Sequence, residues 1–193
     1  RVIEGDALAA DATALLDPPR QVIANLPYNI ATPLLIGWLR QAGAFERLTL
    51  MFQQEVAERI AAAPGAAAYG RLSVLAQWTC AVRLGLRLPP AAFTPPPRVH
   101  SAVIGLTPHA LQPSPALFSA MERLTAAAFG QRRKMLRGAL RALLPDAAIA
   151  ALLGAGGIAP DRRAETLSVA EFDRLARMLA DAYAGPGQGK ELP

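Results

Sequence analysis

The tetrapeptide Asn25-Leu26-Pro27-Tyr28 carries groups that could do chemistry, and it follows an apolar run of strand type. Asn25 offers one acceptor oxygen and two amide donors. Pro27 has no N–H and pushes Leu26 toward an extended conformation, which can leave the Leu26 carbonyl without a ladder partner. Tyr28 supplies a flat aromatic face. The turn therefore combines two hydrogen-bond acceptors with a stacking surface.

An exocyclic amine on a nucleobase suits this combination, because the amine has two N–H donors and the base has a π-face. Such an amine is a poor nucleophile, since its lone pair is delocalised into the ring. Acceptors outside the ring plane would favour a pyramidal nitrogen and expose the lone pair, which combines positioning with transition-state complementarity. An aromatic platform would offset part of the cost of unstacking the base. The alternative is an ordinary turn in which Tyr28 caps the core.

The elements around this turn alternate between strand and helix, which predicts a layered α/β sheet. We expect a buried strand at Gln21–Ala24 and a helix at Thr32–Gln41, with Pro33 in its first turn. Ligands bind beyond the carboxyl ends of strands in such sheets, where Asn25 lies. The last two strands should form an antiparallel edge. Further strands are expected at 1–4, 48–52, 82–88 and 99–106, and further helices at 11–16, 53–62 and 72–80.

The chain changes character after Thr107-Pro108, where only helix-type spacing is found. Ser168 and Glu171 form a capping box at the start of the last helix. The predicted organisation is a first domain at 1–110, a helical domain at 111–186 and a flexible tail at 187–193. The helices are expected at 115–129, 131–144, 146–153 and 168–183.

The composition excludes several protein classes. Apolar residues make up 52% of the 193, enough for a sizeable core. One cysteine, Cys80, and two histidines argue against a disulfide framework and against a zinc site, so no metal is expected. No run reads as a membrane span or as a signal peptide, which indicates a cytoplasmic location.

Positive charge is concentrated in one segment, residues 131–141, which holds five basic residues and no acidic one. On a helix, Arg133, Arg137 and Arg141 would share one face, and Arg132 and Lys134 would flank it. Such a stripe suits RNA phosphates, in contacts that fix position without reading sequence. The alternative is a solvated surface.

Six stretches in order resemble the rRNA adenine N6,N6-dimethyltransferase family, and within it the bacterial small-subunit (16S) branch. They span nearly the whole chain. They read EGDAL (4–8), NLPYNIATPLL (25–35), YGRLSVLAQ (69–77), AFTPPPRVHSAV (92–103), FGQRRKMLRGAL (129–140) and GIAPDRRAETLSVAEF (157–172).

The resemblance implies a Rossmann-like S-adenosylmethionine-dependent methyltransferase core, incomplete at its N terminus, with a small all-α C-terminal domain. It implies transfer of methyl groups from S-adenosylmethionine to N6 of two adjacent adenosines near the 3′ end of 16S rRNA. The partner would be this rRNA within the small ribosomal subunit, approached by a monomer.

The resemblance also assigns roles to single residues. Asp6 would contact the adenine amine of the cofactor, and Asn25 would lie between the cofactor methyl and the target amine. The Leu26 carbonyl and Asn25 would accept hydrogen bonds from adenine N6. Tyr28 and Phe93 would stack on opposite faces of the base. Without the resemblance, Phe93 would read as a core anchor and Asp6 as a turn aspartate.

The sequence departs from the family pattern in two places. The glycine-rich cofactor loop should come upstream of Arg1, so we expect this chain to correspond to the C-terminal two-thirds of the enzyme and to be inactive alone. Gln54 replaces the lysine that is usual between Gln53 and Glu55, which puts one cationic contact in question.

Three other functions fit parts of the pattern. A large-subunit rRNA methyltransferase that confers macrolide resistance disagrees with the matched stretches at 129–140 and 157–172. A non-catalytic RNA-binding assembly factor disagrees with the intact Asn25–Tyr28 turn for the intact protein, but this alternative stays open for the present chain alone. A DNA adenine methyltransferase would more often carry Asp-Pro-Pro-Tyr and a separate target-recognition region.

Overall fold

The computed structural model describes residues 2–131 and 133–184. It contains four strands, β1 (Gln21–Asn25), β2 (Arg47–Gln53), β3 (Cys80–Leu88) and β4 (Ser101–Pro108). Its α-helices are α1 (Ala12–Leu15), α2 (Tyr28–Arg40), α3 (Gln54–Ile60), α4 (Arg71–Thr79), α5 (Pro115–Gly130), α6 (Leu136–Ala139), α7 (Asp146–Ala155) and α8 (Val169–Ala184). The described residues divide into two compact units, 2–63 with 75–112 and 64–74 with 113–184.

A four-stranded sheet in the order β1-β2-β4-β3 organises the first unit. Strands β1 and β2 are parallel, whereas β4 runs antiparallel to both β2 and β3, which confirms the predicted antiparallel edge. Asn25 lies opposite Met51, and Ser101 lies opposite both Gln53 and Leu88. The carboxyl ends of β1, β2 and β3 therefore lie beside the start of β4. We call this end of the strands the sheet edge.

Alternating apolar residues build the core of this unit. Every second residue of the two central strands is buried: Leu48, Leu50 and Phe52 in β2, and Ala102, Ile104 and Leu106 in β4. Leu35 and Leu39 of α2 and Ile60 of α3 are also fully buried. Each of the leucine, isoleucine and phenylalanine side chains contributes about 1.5–3 kcal/mol by leaving water, so the central strands hold this end of the sheet in place.

Strand β1 differs from its prediction, because it is not buried. Its exposure alternates between exposed and intermediate, and Ile23 is 80% exposed. The apolar run predicted a buried strand, but β1 has only one strand neighbour among the described residues. The strand predicted at residues 1–4 was also wrong, since residues 2–4 form no regular element and are exposed.

Helix α2 begins at Tyr28, four residues earlier than predicted. Pro27 has φ −58° and ψ 128°, which is outside the helical region, and its carbonyl accepts a hydrogen bond from Ile30 N at 3.1 Å. Pro33 therefore lies inside the helix and not in its first turn. The early start makes Tyr28 the first helical residue, directly after the turn.

The second unit is helical, and its helix starts are set by caps. Ser114 Oγ accepts a hydrogen bond from Leu117 N at 3.3 Å, which caps α5. The predicted capping box is confirmed: Glu171 N donates to Ser168 Oγ at 3.2 Å, and Ser168 N donates to a Glu171 carboxylate oxygen at 2.7 Å. An aromatic contact at 5.6 Å between Phe129 and Phe172 joins α5 to α8.

The single helix predicted over 131–144 was wrong. Helix α6 covers only Leu136–Ala139, and a 3-10 turn follows at Leu140–Ala142. Met135 is extended, and Leu136 N donates to the Arg162 carbonyl at 2.7 Å. Helix α6 begins at this tertiary hydrogen bond, and the Leu136 and Leu140 side chains are both buried. Local periodicity was overridden by packing.

Within 2–131 and 133–184, no helix is long and apolar enough to cross a membrane. Over the same residues, no group of three or more His, Cys, Asp or Glu side chains could hold a metal ion.

Candidate active site

A pocket of about 320 Å³ opens at the edge of the sheet where β1 ends. We call it the Asn25 pocket. Strand β1 delivers Asn25 to it, and the start of α2 delivers Tyr28. It is lined by Asn25, Leu26, Pro27, Tyr28, Phe93, Pro95 and Pro97. The structure thus brings the turn together with Phe93, which is far away in sequence.

The turn presents polar groups without partners. The Asn25 side chain is exposed, and no described residue hydrogen-bonds to it. Leu26 is only 5% exposed, so its side chain anchors the turn in the core. Outside the helices and strands, no described backbone N–H donates to the Leu26 carbonyl. An amide oxygen and a carbonyl oxygen are therefore available to a ligand.

Two aromatic side chains line the same pocket. Tyr28 is 43% exposed, and its hydroxyl lies 3.3 Å from Oγ of Ser101, which is buried at the start of β4. Phe93 is half-buried and follows a 3-10 turn at Pro90–Ala92, whose Pro90 carbonyl accepts a hydrogen bond from Phe93 N at 3.1 Å. The sheet thus holds one end of Tyr28, and a proline-rich segment holds Phe93.

Asp6 does not line the Asn25 pocket. One carboxylate oxygen, Oδ1, accepts a hydrogen bond from Leu8 N at 2.9 Å, and the Asp6 carbonyl accepts from Ala9 N and Ala10 N at 3.1 Å each. The residue therefore closes a turn. Its second carboxylate oxygen has no described partner and is exposed.

Cys80 is not available for nucleophilic chemistry. The thiol is buried at the start of β3, and burial raises its pKa to about 11 although Thr79 donates a hydrogen bond to the sulfur. Because the thiolate is the reactive form, this side chain stays inert near neutral pH.

A second hollow, of about 410 Å³, lies at the same sheet edge and was not predicted from the sequence. We call it the Gln53–His100 groove. It is lined by Gln53, Gln54, Glu55, Glu58, Arg98, Val99 and His100. Gln54 lines this groove and donates to Glu58 at 2.8 Å. The signal that could have found it is Arg98-Val99-His100, directly after the proline-rich segment.

The predicted stripe of arginines was wrong, because its residues do not share a helix. Arg133 lies in a turn, Arg137 lies in α6, and Arg141 lies in the following 3-10 turn. Arg132, also predicted, lies outside the described residues. Lys134 and Arg137 instead line a basic pocket of about 510 Å³. Its other lining residues are Met135, Gly138, Arg141, Pro160 and Asp161.

Arg141 also has an acidic partner, contrary to the prediction. Its Nε donates to Asp146 Oδ1 at 2.8 Å, and its Nη2 donates to Oδ2 at 3.0 Å. These hydrogen bonds raise the pKa of Arg141 and lower that of Asp146. No ion pair to Arg133, Lys134 or Arg137 is formed by the described residues. Lys134 and Arg137 therefore line the basic pocket without an ion pair to a described residue, although the charge of Arg137 also helps to lower the pKa of Asp146.

Known proteins resemble the chain over nearly its whole length. The family model described as ribosomal RNA adenine dimethylase matches residues 1–181. A protein of Gluconobacter oxydans (strain 621H), named ribosomal RNA small subunit methyltransferase A, is 64% identical over 92% of this chain. A protein of the same name from Rhodospirillum rubrum is 58% identical, also over 92%. The chain spans 57% and 60% of the lengths of these two curated relatives.

Solved structures have the same fold. The crystal structure of a dimethyladenosine transferase from Plasmodium falciparum matches with a TM-score of 0.73 and 26% identity, over 90% of this chain and 70% of that one. The 23S rRNA methyltransferase ErmE matches with a TM-score of 0.60 and 21% identity, over 92% and 70%, a likeness of fold alone. These likenesses confirm the predicted Rossmann-like methyltransferase fold. The chain belongs to the ribosomal RNA adenine dimethylase family.

Proposed function

We propose that the protein to which this chain belongs transfers methyl groups from S-adenosylmethionine to N6 of two adjacent adenosines near the 3′ end of 16S rRNA. The observation that carries the proposal is the Asn25 pocket, where two unpartnered oxygens of Asn25 and Leu26 lie beside the aromatic residues Tyr28 and Phe93. The names of the curated relatives agree with this substrate.

The pocket can hold a flipped adenine by stacking and by hydrogen bonds. Tyr28 and Phe93 would contact its two faces, each stacked base gaining about 1–3 kcal/mol. The Asn25 side-chain oxygen and the Leu26 carbonyl would accept the two N6 protons. Because these acceptors favour a pyramidal nitrogen, they would expose its lone pair for attack.

Proton transfer needs no general base before the attack. The N6 lone pair would form the new bond to the methyl carbon while the bond from that carbon to the sulfonium sulfur breaks and leaves a neutral thioether. The cationic nitrogen would then lose one proton to solvent. After the first transfer N6 still has one N–H, so one of the two acceptors remains satisfied during the second. The pocket volume of about 320 Å³ leaves room for the added methyl group.

The residues present fit one end of the cofactor. The free carboxylate oxygen of Asp6 can accept a hydrogen bond from an adenine amine. The exposed Asn25 amide can orient a group that enters from the other side of the pocket. When bound, S-adenosylmethionine supplies an electrophilic methyl group on a sulfonium sulfur.

The rRNA partner is supported by two residues of the basic pocket, Lys134 and Arg137, and by Arg133, which precedes Lys134 in the chain. Arg133, Lys134 and Arg137 are exposed and have no ion pair with described residues. Exposed cations of this kind contact phosphates and orient a structured RNA without reading its sequence. The proposal includes a cytoplasmic monomer that works without a metal ion, on 16S rRNA within the small ribosomal subunit.

Labelled S-adenosylmethionine and small subunits that lack adenine dimethylation test the proposal. The comparison is between this chain and the same chain extended at its N terminus to the length of its curated relatives, the extended chain. We expect label in two adjacent 16S adenosines with the extended chain only. Firm subunit binding without label from either chain would favour a non-catalytic RNA-binding assembly factor.

A further inference from the structure

The Asn25 pocket and the Gln53–His100 groove are neighbours along one sheet edge, because one segment borders both. Pro97 lines the pocket, and the next residue, Arg98, lines the groove. Gln54 N donates to the His100 carbonyl at 2.9 Å, so the two segments that line the groove are hydrogen-bonded to each other. Ser101, the residue after His100, holds the Tyr28 hydroxyl. A ligand that fills the pocket therefore has the groove beside it.

The acidic side chains of the groove already have partners. Glu55 forms an ion pair with Arg59 at 2.6 Å. Glu58 accepts from Gln54 at 2.8 Å and from Arg87 at 3.4 Å. Each glutamate of the lining is therefore paired with an arginine, and Arg98 is the charged lining residue that has no ion pair with a described residue.

Three polar side chains of the groove have no described partner: Gln53, Arg98 and His100. An amide and an imidazole can hydrogen-bond to the edge of a base, and a guanidinium can bind a phosphate bidentately. The Asn25 pocket has a different character, because prolines and aromatic rings dominate its lining. The pocket suits a base held by its faces, and the groove suits a nucleotide held by its edge and its phosphate.

We propose that the Gln53–His100 groove binds the nucleotide next to the target adenosine, with Arg98 on the phosphate that joins the two nucleotides and Gln53 and His100 on the edge of the neighbouring base. The inference rests on the proposed function and deepens it, since it assigns a second subsite for the RNA. The groove orients the strand so that only one nucleotide enters the Asn25 pocket.

The test uses the extended chain and a short single-stranded RNA with two adjacent adenosines. In a matched set of RNAs, one phosphate at a time is replaced by a neutral methylphosphonate. The protein variant is Arg98→Gln. The control is Arg47→Gln, because Arg47 is an exposed arginine without a described partner at the opposite end of β2.

We expect Arg98→Gln to raise the Kd for the RNA and its KM about three- to tenfold and to change kcat less than about twofold. One neutral linkage should weaken wild-type binding by the same factor and have no further effect on Arg98→Gln. Such non-additivity identifies the phosphate that Arg98 contacts. Equal binding by Arg98→Gln and Arg47→Gln, or additive losses at every linkage, would overturn the proposal.

The binding measurement separates this inference from the proposed function. If the extended chain binds the RNA but transfers no methyl group, the proposed function fails. The non-additivity between Arg98→Gln and one neutral linkage then still shows whether the groove binds the neighbouring nucleotide. If methyl transfer is normal and the coupling is missing, the groove fails alone. Thermal unfolding of Arg98→Gln should match wild type, because its side chain has no described contact to lose.

Discussion

The Asn25 pocket and the second unit use polar side chains in opposite ways. The Asn25 amide has no described partner although it lies at the end of a well-ordered sheet strand. In the second unit, Glu171 is bound by Ser168 and by Arg162, and Asp146 is bound by Arg141. A polar residue type alone therefore does not show that a side chain can bind a ligand, because its hydrogen-bonding groups can already be used within the protein. We expect a polar side chain without a described partner, such as Asn25, to affect ligand binding or catalysis, and a hydrogen-bonded one, such as Glu171, to affect stability.

The strongest test of this comparison is Asn25→Ala in the extended chain. We expect kcat for methyl transfer to fall about 100- to 1,000-fold, because an acceptor aimed at the developing charge is removed. Thermal stability should not change, since the amide has no hydrogen bond to a described residue, and RNA binding should persist with a much smaller loss than kcat. Asn29→Ala, an exposed amide that does not line the pocket, is the matched control. A parallel loss of RNA binding would make Asn25 a structural residue.

Tyr28 tests whether the ring or the hydroxyl is used. Tyr28→Ala should lower kcat/KM about 10- to 100-fold, because a stacked base loses about 1–3 kcal/mol. Tyr28→Phe keeps the ring and loses only the 3.3 Å contact with Ser101, so a fall below about fivefold is expected. Steady-state kinetics on the same RNA compare the two variants. If Tyr28→Phe lowers kcat/KM as much as Tyr28→Ala does, the base is positioned through the hydroxyl contact and not through stacking.

Glu171 should behave in the opposite way to Asn25. Glu171→Gln weakens the capping box and the ion pair with Arg162, and we expect a loss of about 1–2 kcal/mol in unfolding free energy. RNA binding by the folded protein should persist. Denaturant unfolding near neutral pH measures the loss, with Asp181→Asn on the same helix as control. An unchanged stability would contradict the role given to the capping box.

The stability from Glu171 should also depend on pH. The Arg162 hydrogen bond, followed by those from Ser168, lowers the pKa of the Glu171 carboxyl from its usual 4.5. Its contribution is therefore fully present above about pH 4.5 and is lost as the pH falls through the lowered pKa. The stability difference between wild type and Glu171→Gln should shrink below that pH. A difference that does not vary with acid would contradict this linkage.

The smallest effects are expected in the basic pocket. Lys134→Gln and Arg137→Gln should each weaken subunit binding about two- to threefold and reduce the salt slope by about 0.7–0.9. Arg141→Gln should leave the slope unchanged, because Asp146 already holds that guanidinium. Binding titrations over a salt series provide the measurement. Equal losses in all three variants would mean that the Arg141–Asp146 pair opens on the RNA.

Much of the first unit follows from its sequence pattern. Alternation in β2 and β4 predicts their buried faces, and the edge of the sheet then follows from topology. The proximity of Phe93 to the Asn25–Tyr28 turn came from family resemblance, since no local pattern joins two segments so far apart. The catalytic roles of these residues stay predictions.

The failures share one physical cause, which is that tertiary partners are invisible to local periodicity. The spacing of Arg133, Arg137 and Arg141 fits a helix, but the hydrogen bond from Leu136 N to the Arg162 carbonyl starts the helix later. Ile23 lies in a strand that was predicted to be buried, yet β1 has one strand neighbour within the described part of the chain, and Ile23 is 80% exposed. The Gln53–His100 groove also needed the pairing of β2 with β4.

Strand β1 has a consequence for handling the 193-residue chain in solution. Its outer edge presents backbone donors and acceptors with no neighbouring strand among the described residues, and Ile23 adds an apolar surface beside them. Unprotected edges of this kind template intermolecular pairing. We therefore expect this chain to aggregate, with a steep concentration dependence in light scattering. Ile23→Lys should delay the aggregation, because it places a charge on the exposed edge strand.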